Sequence, residues 1–506
     1  MNIPAAKQDS RSIRTAASMR RRGLSKSRFM AGMQCHKRLY LETYRPELAE
    51  SADESGEATF EVGHAVGALA RNRYPGGVLI GEDLDWSDAE SATRDAIRNR
   101  AVPAIFEPAL SLDGVRVRAD VLARTRDRQF DLIEVKSTLD VKPEHEWDLA
   151  IQFHVLRGAG VPIRWARLMH LNRAYIYLGG EYDLKRLFRF GNLTRLVRKR
   201  RRKVVAALKE MRKMLASHSP PPIAVGPQCT APYVCPFYDH CHGDQPEHSI
   251  EQLPRLRARL REQLAAMGVL EIGKIPTDFD GLSTLQARVV EAVRTGKRFH
   301  DHAISRKLRK IKFPVHFLDF ETFSPALPLY PGTRPYQVIP FQWSDHILNA
   351  DGGVTHREFL HCDRTDPRRS FANELLDAVG TKGSIVAYGA FEATRLRELG
   401  EHFRDLASAL ERVRKRIVDM LPLIRAHVYD HEFHGSFSLK SVLPALVPAL
   451  GYDDLKISGG NIASMAYAEI QIPDIPPERS AELRAALLAY CQRDTEAMLE
   501  LFRRLR

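Results

Sequence analysis

Apolar residues run from Val315 into Phe317-Leu318-Asp319-Phe320-Glu321-Thr322, which predicts a buried strand carrying two acids. Side chains of a strand alternate between faces, so Asp319 and Glu321 project from the same side. Two like charges on a buried strand are costly unless a cation neutralises them, and a divalent metal site accounts for the pair. Further strands are predicted at Ala104–Phe106, Val115–Leu122 and Phe130–Ser137, then at Tyr336–Trp343, Glu358–Leu360 and Ser384–Tyr388. Helical spacing predicts a helix after an N-cap at Ser25 or Ser27, another over Phe60–Tyr74, and a third over Glu146–Leu156. Long helical patterns come next at Leu193–Leu215 and through Leu487, Leu488, Met498 and Leu501 near the C-terminus.

The three strands of the first half read as consecutive antiparallel neighbours. Asp120 falls near the end of one, and Glu134 and Lys136 share a face on the next. An acid, then acid-x-lysine on the adjacent strand, suits phosphodiester hydrolysis. The carboxylates hold a divalent cation that acidifies a water and screens phosphate charge. The lysine orients or deprotonates that water and stabilises charge at phosphorus.

At 506 residues, 44% hydrophobic and 27% charged, the chain is too long for one core and has the balance of a soluble globular protein of two or three domains. A formal charge of +13 favours a polyanionic partner, nucleic acid before membrane surface. No apolar run is long enough for a transmembrane helix. Six cysteines in a chain this size do not suggest a disulfide scaffold, and cytoplasmic residence is expected. The arginine-rich N-terminus reads as a disordered basic arm over residues 1–27 rather than a transit peptide. The 193–215 helix presents a dense basic surface, with Arg198, Lys199, Arg201 and Arg202 as candidate phosphate contacts. Beyond it, Cys229, Cys235 and Cys241 stand at equal steps in a Pro- and aromatic-rich loop. They are expected to be metal ligands rather than disulfides, in a spacing unlike that of zinc fingers, with a fourth ligand from elsewhere. Cys362 and Cys491 read as ordinary buried cysteines.

Gly63-His64, Arg118-Ala119-Asp120, Glu134-Val135-Lys136 and Gln152 resemble the RecB-like branch of the PD-(D/E)XK nucleases. The resemblance implies that His64, Asp120 and Glu134 bind metal, that Lys136 is catalytic, and that the helix bearing Gln152 packs over the site. One departure is Leu156, where that family often has a tyrosine. Nucleases of this type in AddB and in CRISPR adaptation clasp the domain with a [4Fe–4S] cluster. Cys35 with Cys229, Cys235 and Cys241 resembles that layout, zinc being the alternative.

The second half is similar to the ribonuclease H-like DEDD exonucleases. Asp319-x-Glu321 matches the first motif, Tyr388-Gly389-x-Phe391-Glu392 stands at the second, and Tyr490-x-x-x-Asp494 matches the third. The resemblance implies that Asp319, Glu321, Glu392 and Asp494 hold two cations, Mg2+ or Mn2+, while Tyr490 orients the attacking water. Glu392 replaces the usual Asp, and Asp419 is its rival for that role.

The expected fold is therefore α/β and multidomain. A restriction-endonuclease-like PD-(D/E)XK domain (28–245) and a ribonuclease H-like domain (311–506) are joined by a helical connector (246–310) that reads as a packing linker. The arrangement resembles a bacterial family of predicted nucleases. The leading expectation is a metal-dependent deoxyribonuclease with two sites, acting on single strands or ends in repair, recombination or defence. The alternatives are a nucleic-acid-binding scaffold with weak catalysis and an exonuclease directed at RNA.

Overall fold

A computed structural model describes residues 23–50, 54–243 and 245–506. The basic arm expected over 1–27 lies outside them as far as residue 22. Two compact units divide the chain, Met1–Gly243 with Ala326–Tyr336, and Asp244–Pro325 with Gln337–Arg506. Both are mixed α/β. Among the described residues no helix is long and apolar enough to cross a membrane.

In the first unit β1 (Leu24–Ser25) leads into α1 (Lys26–Gln34), α2 (His36–Tyr44), α3 (Glu54–Arg71), β2 (Val78–Leu79) and α4 (Trp86–Arg98). Then come β3 (Ala104–Phe106), β4 (Ala109–Leu112), β5 (Val115–Arg118), β6 (Val121–Arg124), β7 (Phe130–Lys136), α5 (Pro143–Gly158), β8 (Ile163–Leu171), β9 (Phe188–Asn192) and α6 (Thr194–Leu215). A six-stranded sheet runs β2-β3-β6-β7-β8-β9, and a three-stranded one β1-β5-β4. The single strand expected over 115–122 is thus two strands in two sheets. The hairpin bends where Ala119 N donates to Pro108 O and Glu107 N to Asp120 O, both at 3.1 Å. Pro108 has no N–H to continue a ladder, and Glu107 takes a positive φ of 53°, so regular pairing stops there. Leu24 and Ser25 pair with Val115 and Arg116, so these two residues, expected in the arm, belong to the three-stranded sheet.

Helix α5 is the crossover between parallel strands β7 and β8. Its Leu149, Ile151 and Val155 bury with Leu132 of β7 and with Val197, Val204 and Leu208 of α6. The stripe on α6 is the one its helical periodicity predicts, and Arg198, Lys199, Arg201 and Arg202 are exposed.

In the second unit the residues expected as a connector contribute α7 (Ala258–Ala266), α8 (Thr284–Thr295), β10 (Phe299–His300) and α9 (Ala303–Leu308). They cluster with the rest of this unit rather than standing apart. The chain continues through β11 (Val315–Phe323), β12 (Ile339–Leu348), β13 (Val354–Leu360), α10 (Arg368–Val379), β14 (Ser384–Ala387), α11 (Phe391–His402), α12 (Ala407–Arg414), β15 (Ile417–Asp419) and α13 (Met420–His427). It ends with β16 (Val428–Tyr429), α14 (Leu439–Leu446), α15 (Gly460–Ile470) and α16 (Pro477–Leu505).

The central sheet is β13-β12-β11-β14-β15, antiparallel on one side of β11 and parallel on the other. Gly383 carries φ +77°, and a Cβ there would lie 1.9 Å from Pro314 O, so only glycine lets β14 start beside β11. The period of two then sorts the faces of β11. Leu318 and Phe320 bury with Phe371, Leu375 and Leu396. Phe317 meets Phe502 of α16 at 5.3 Å, and Phe323 meets Tyr467 of α15 at 4.9 Å. Asp319 and Glu321 belong to this second face.

Candidate metal centres

In the second unit, β11 delivers Asp319 and Glu321 from one face, as the alternation predicts, opposite Ser344 and Gln342 of β12. Helix α16 covers that face and adds Tyr490, Cys491 and Asp494, residues 490 and 494 being one turn apart. Glu392 lies in the first turn of α11, just after β14. Glu321, Glu392 and Asp494 are 4–8% exposed, while Asp319 is half-buried. Asp319 and Asp494 border a cleft of about 410 Å³ that Tyr388, Lys440 and Tyr490 also line.

One ligand atom each from Asp319, Glu321 and Cys491 lie within 4.8 Å of one another. The Cys491 thiol donates towards Asp319 Oδ2 at 3.5 Å, so Cys491 is not an ordinary buried cysteine but borders the carboxylates. Cys362, by contrast, donates only to Leu360 O at 3.4 Å. Tyr452 donates to Asp494 Oδ1 at 2.5 Å, and Lys440 Nζ stands 4.9 Å from the Tyr490 ring centre and 5.2 Å from that of Tyr452. Glu392 Oε2 is buried with no hydrogen-bond partner. Asp419 caps α13, its Oδ1 accepting from Gly389 N at 2.9 Å and Leu421 N at 3.0 Å.

The electrostatics come from burial and crowding. Burial, then Asp494 and Glu321, hold Asp319 well above the usual carboxylate range. Burial and Asp494 push Glu321 up to about 8 against the pull of Lys440. Burial, with Asp419 and Asp494 adding to it, pushes Glu392 up to about 7. Burial also raises Asp494, opposed by the phenols of Tyr452 and Tyr490 and by Lys440. Such a cluster is what a divalent cation relieves. An orphaned Glu392 oxygen and an all-carboxylate majority among the donors fit Mg2+ or Mn2+.

In the first unit, Glu134 and Lys136 extend the β7 face that α5 covers, and α5 presents Asp148 and Gln152 to them from successive turns. Gln152 Nε2 donates to Glu134 Oε2 at 2.6 Å and to Asp148 Oδ1 at 3.0 Å. Lys136 Nζ bonds Glu134 Oε1 and Asp148 Oδ2, each at 2.7 Å. Asp120 Oδ2 accepts from Val135 N at 2.5 Å, which pins it beside Glu134. A second ammonium, Lys26 Nζ at the start of α1, lies 3.2 Å from Glu134 Oε1 and 3.4 Å from Asp148 Oδ1. Burial, then Asp120 and Asp148, push Glu134 up to about 7, while burial raises Asp120 against Lys26 and Lys136. For Lys136 burial is outweighed by Glu134, Asp148 and Asp120, which hold it protonated. Asp148 is held far below the usual range because Lys26 and Lys136 outweigh its burial. The oxygen donors suit a hard divalent cation. His64 is exposed on α3 with its ring 4.2 Å from that of Phe60, and no described contact joins it to Asp120 or Glu134.

Cys35, Cys229, Cys235 and Cys241 line one cavity with Lys37 and Arg38, and all four are free thiols. Cys35 is the C-cap of α1 and the N-cap of α2. Gln34 Nε2 ties the loop to it, donating to Gln228 O at 2.7 Å and Tyr233 O at 2.8 Å. Burial raises Cys229 and Cys235, and the neighbouring cysteines raise them further.

Residues 316–438 match a family described as a domain of unknown function (DUF2779). That segment contains Asp319, Glu321 and Glu392 but ends before Tyr490 and Asp494. No curated protein matches the chain.

Sequence reasoning missed Lys26 and Asp148 in the first unit and Lys440, Tyr452 and Cys491 in the second. Asp148 carried one usable signal, its place one helical turn before Gln152. Cys491 stands beside Tyr490 inside the third motif, whereas Lys26, Lys440 and Tyr452 lie far along the chain from the motifs they join.

Proposed function

We propose that this protein is a metal-dependent nuclease that hydrolyses phosphodiester bonds of nucleic acid, DNA before RNA, at two sites. In this reading the first unit is a PD-(D/E)XK-type domain and the second a ribonuclease H-like one. The observation that carries it is the clustering of Asp319, Glu321, Glu392 and Asp494, from three separate elements, close enough for the other three to raise Asp319, next to a cleft that Asp319, Asp494 and Tyr490 line. Buried carboxylates held above their usual range are costly in a merely structural role and mark functional sites.

Bound Mg2+ or Mn2+ supplies charge screening at the phosphate and acidifies the attacking water. The chain's own groups do the rest. Asp319, Glu321, Glu392 and Asp494 hold the cations, with Glu392 rather than Asp419 as the fourth acid. Tyr490, kept protonated by burial and by Asp494, positions water at its hydroxyl, and Tyr452 fixes the orientation of Asp494. In the first unit Asp120 and Glu134 are the ligands, Lys136 stabilises negative charge on the phosphate, and Gln152 and Asp148 hold both in place. The exposed Arg198, Lys199, Arg201 and Arg202 track the phosphate backbone.

The four cysteines hold a [4Fe–4S] cluster. Cys35, Cys229, Cys235 and Cys241 line one cavity, which supports a shared role for the four thiols. Iron and sulfide in near-equal amounts after anaerobic purification are expected, and zinc alone would refute the cluster.

Asp120→Ala and Asp319→Ala should each remove a separable activity on end-labelled DNA supplied with Mg2+ or Mn2+. If both variants digest it as fast as the parent, the nuclease reading is wrong. The exposed basic helix favours a second reading, a nucleic-acid-binding scaffold; tight, salt-sensitive binding without turnover under any divalent ion would select it.

A further inference from the structure

Glu134 Oε1 accepts from two ammonium groups, Lys136 Nζ at 2.7 Å and Lys26 Nζ at 3.2 Å. The two lysines are not equivalent. Lys136 has a second anchor at 2.7 Å on Asp148 Oδ2, whereas Lys26 reaches Asp148 Oδ1 only at 3.4 Å. Glu134 Oε2 is taken by Gln152 at 2.6 Å, and Asp120 Oδ2 by Val135 N at 2.5 Å. A divalent cation seated between Asp120 and Glu134 therefore has to claim Glu134 Oε1, where Lys26 is the more weakly held of the two occupants.

We propose that Lys26 is a built-in counter-ion of the first-unit site. It occupies the seat of the divalent cation, competes with it, and turns away when the cation binds. The proposal rests on the reading of Asp120 and Glu134 as cation ligands. The backbone under Lys26 is fixed at both ends of α1. At the start, Ser25 Oγ accepts from Arg28 N at 3.2 Å, and Leu24 and Ser25 pair with β5. At the other end the helix stops at Cys35, and Gln34 holds the cysteine loop through two carbonyls. Only the flexible side chain can exchange, from Glu134 towards solvent or the phosphate of a bound strand. Lys26 is 23% exposed at its side chain, which leaves it that route. Asp148 stays paired with Lys136, so the exchange strands no buried carboxylate.

The test is Mn2+ binding, followed by the loss of the free-ion electron paramagnetic resonance signal, in full-length protein carrying Asp319→Asn to silence the second unit. Lys26→Met removes the competing charge and should bind Mn2+ about tenfold more tightly or better, because a like charge a few Å from the ion disappears. Lys26→Arg keeps the charge and should bind as the Lys26 parent does. Equal affinity in the Met variant and the parent overturns the proposal. So does equal tightening in the Arg and Met variants, which would make packing rather than charge the cause. If the parent cuts no DNA and yet Lys26→Met tightens Mn2+ binding as expected, the nuclease reading fails while the counter-ion stands. If Mn2+ binds neither parent nor variant, the ligand assignment and the counter-ion fail together.

Discussion

Replacing Glu321 by Gln should make the cation-free protein more stable at alkaline pH while removing the activity of the second unit. Burial and the Asp494 carboxylate push Glu321 up from 4.5 to about 8. The folded chain thus keeps a proton on Glu321 over a range in which the unfolded chain has already released it. The contribution of this group is therefore fully present below about pH 4.5 and is lost as pH rises through about 8. That displacement corresponds to about 5 kcal/mol, a large share of the stability of an ordinary domain. A glutamine amide carries no charge at any pH and escapes the loss, at the expense of the site. Urea unfolding in EDTA, at about pH 5.5 and about pH 8, measures this directly. The parent should lose several kcal/mol between the two conditions and the variant clearly less, since Asp319 and Asp494 are raised as well and keep part of the slope. Adding Mn2+ at the higher pH should restore the parent more than the variant. A parent whose stability is flat or rises with pH in EDTA, or a variant no more stable than the parent at pH 8, would refute the reasoning. Gain of stability with loss of function is the trade expected where a strained charge cluster serves chemistry.

Two further outcomes concern the first unit. Gln152→Leu leaves Glu134 Oε2 and Asp148 Oδ1 without their donor in a fully buried position, so thermal unfolding should move down by an amount equivalent to about 1–3 kcal/mol or more. An unchanged melting temperature would show that another donor takes over. Cys35→Ser should lower both bound iron and the thermal stability of this unit, because Cys35 closes α1 onto the cysteine loop. Full iron content in that variant would remove Cys35 from the cage.

Some of this site comes from covalent geometry alone. Asp319 and Glu321 share a face because strand side chains alternate, and Tyr490 and Asp494 share one because they are a turn apart on α16. The exposed basic surface of α6 is set by the apolar stripe opposite it, and Glu134 and Lys136 share a face by strand alternation, whereas the link to Gln152 was only what the family resemblance implied. Only the tertiary structure decided the rest. Pro108 and the positive φ of Glu107 split the 115–122 run between two sheets, which sets Asp120 at a bend. Packing of α16 turned Cys491 from a core thiol into a neighbour of Asp319, and Asp419 became the cap of α13. Lys26 meets Glu134 across 108 residues of sequence. Local periodicity states which residues share a face of one element. Which faces meet is decided by the burial of apolar surface between elements, and that information is spread over the whole chain.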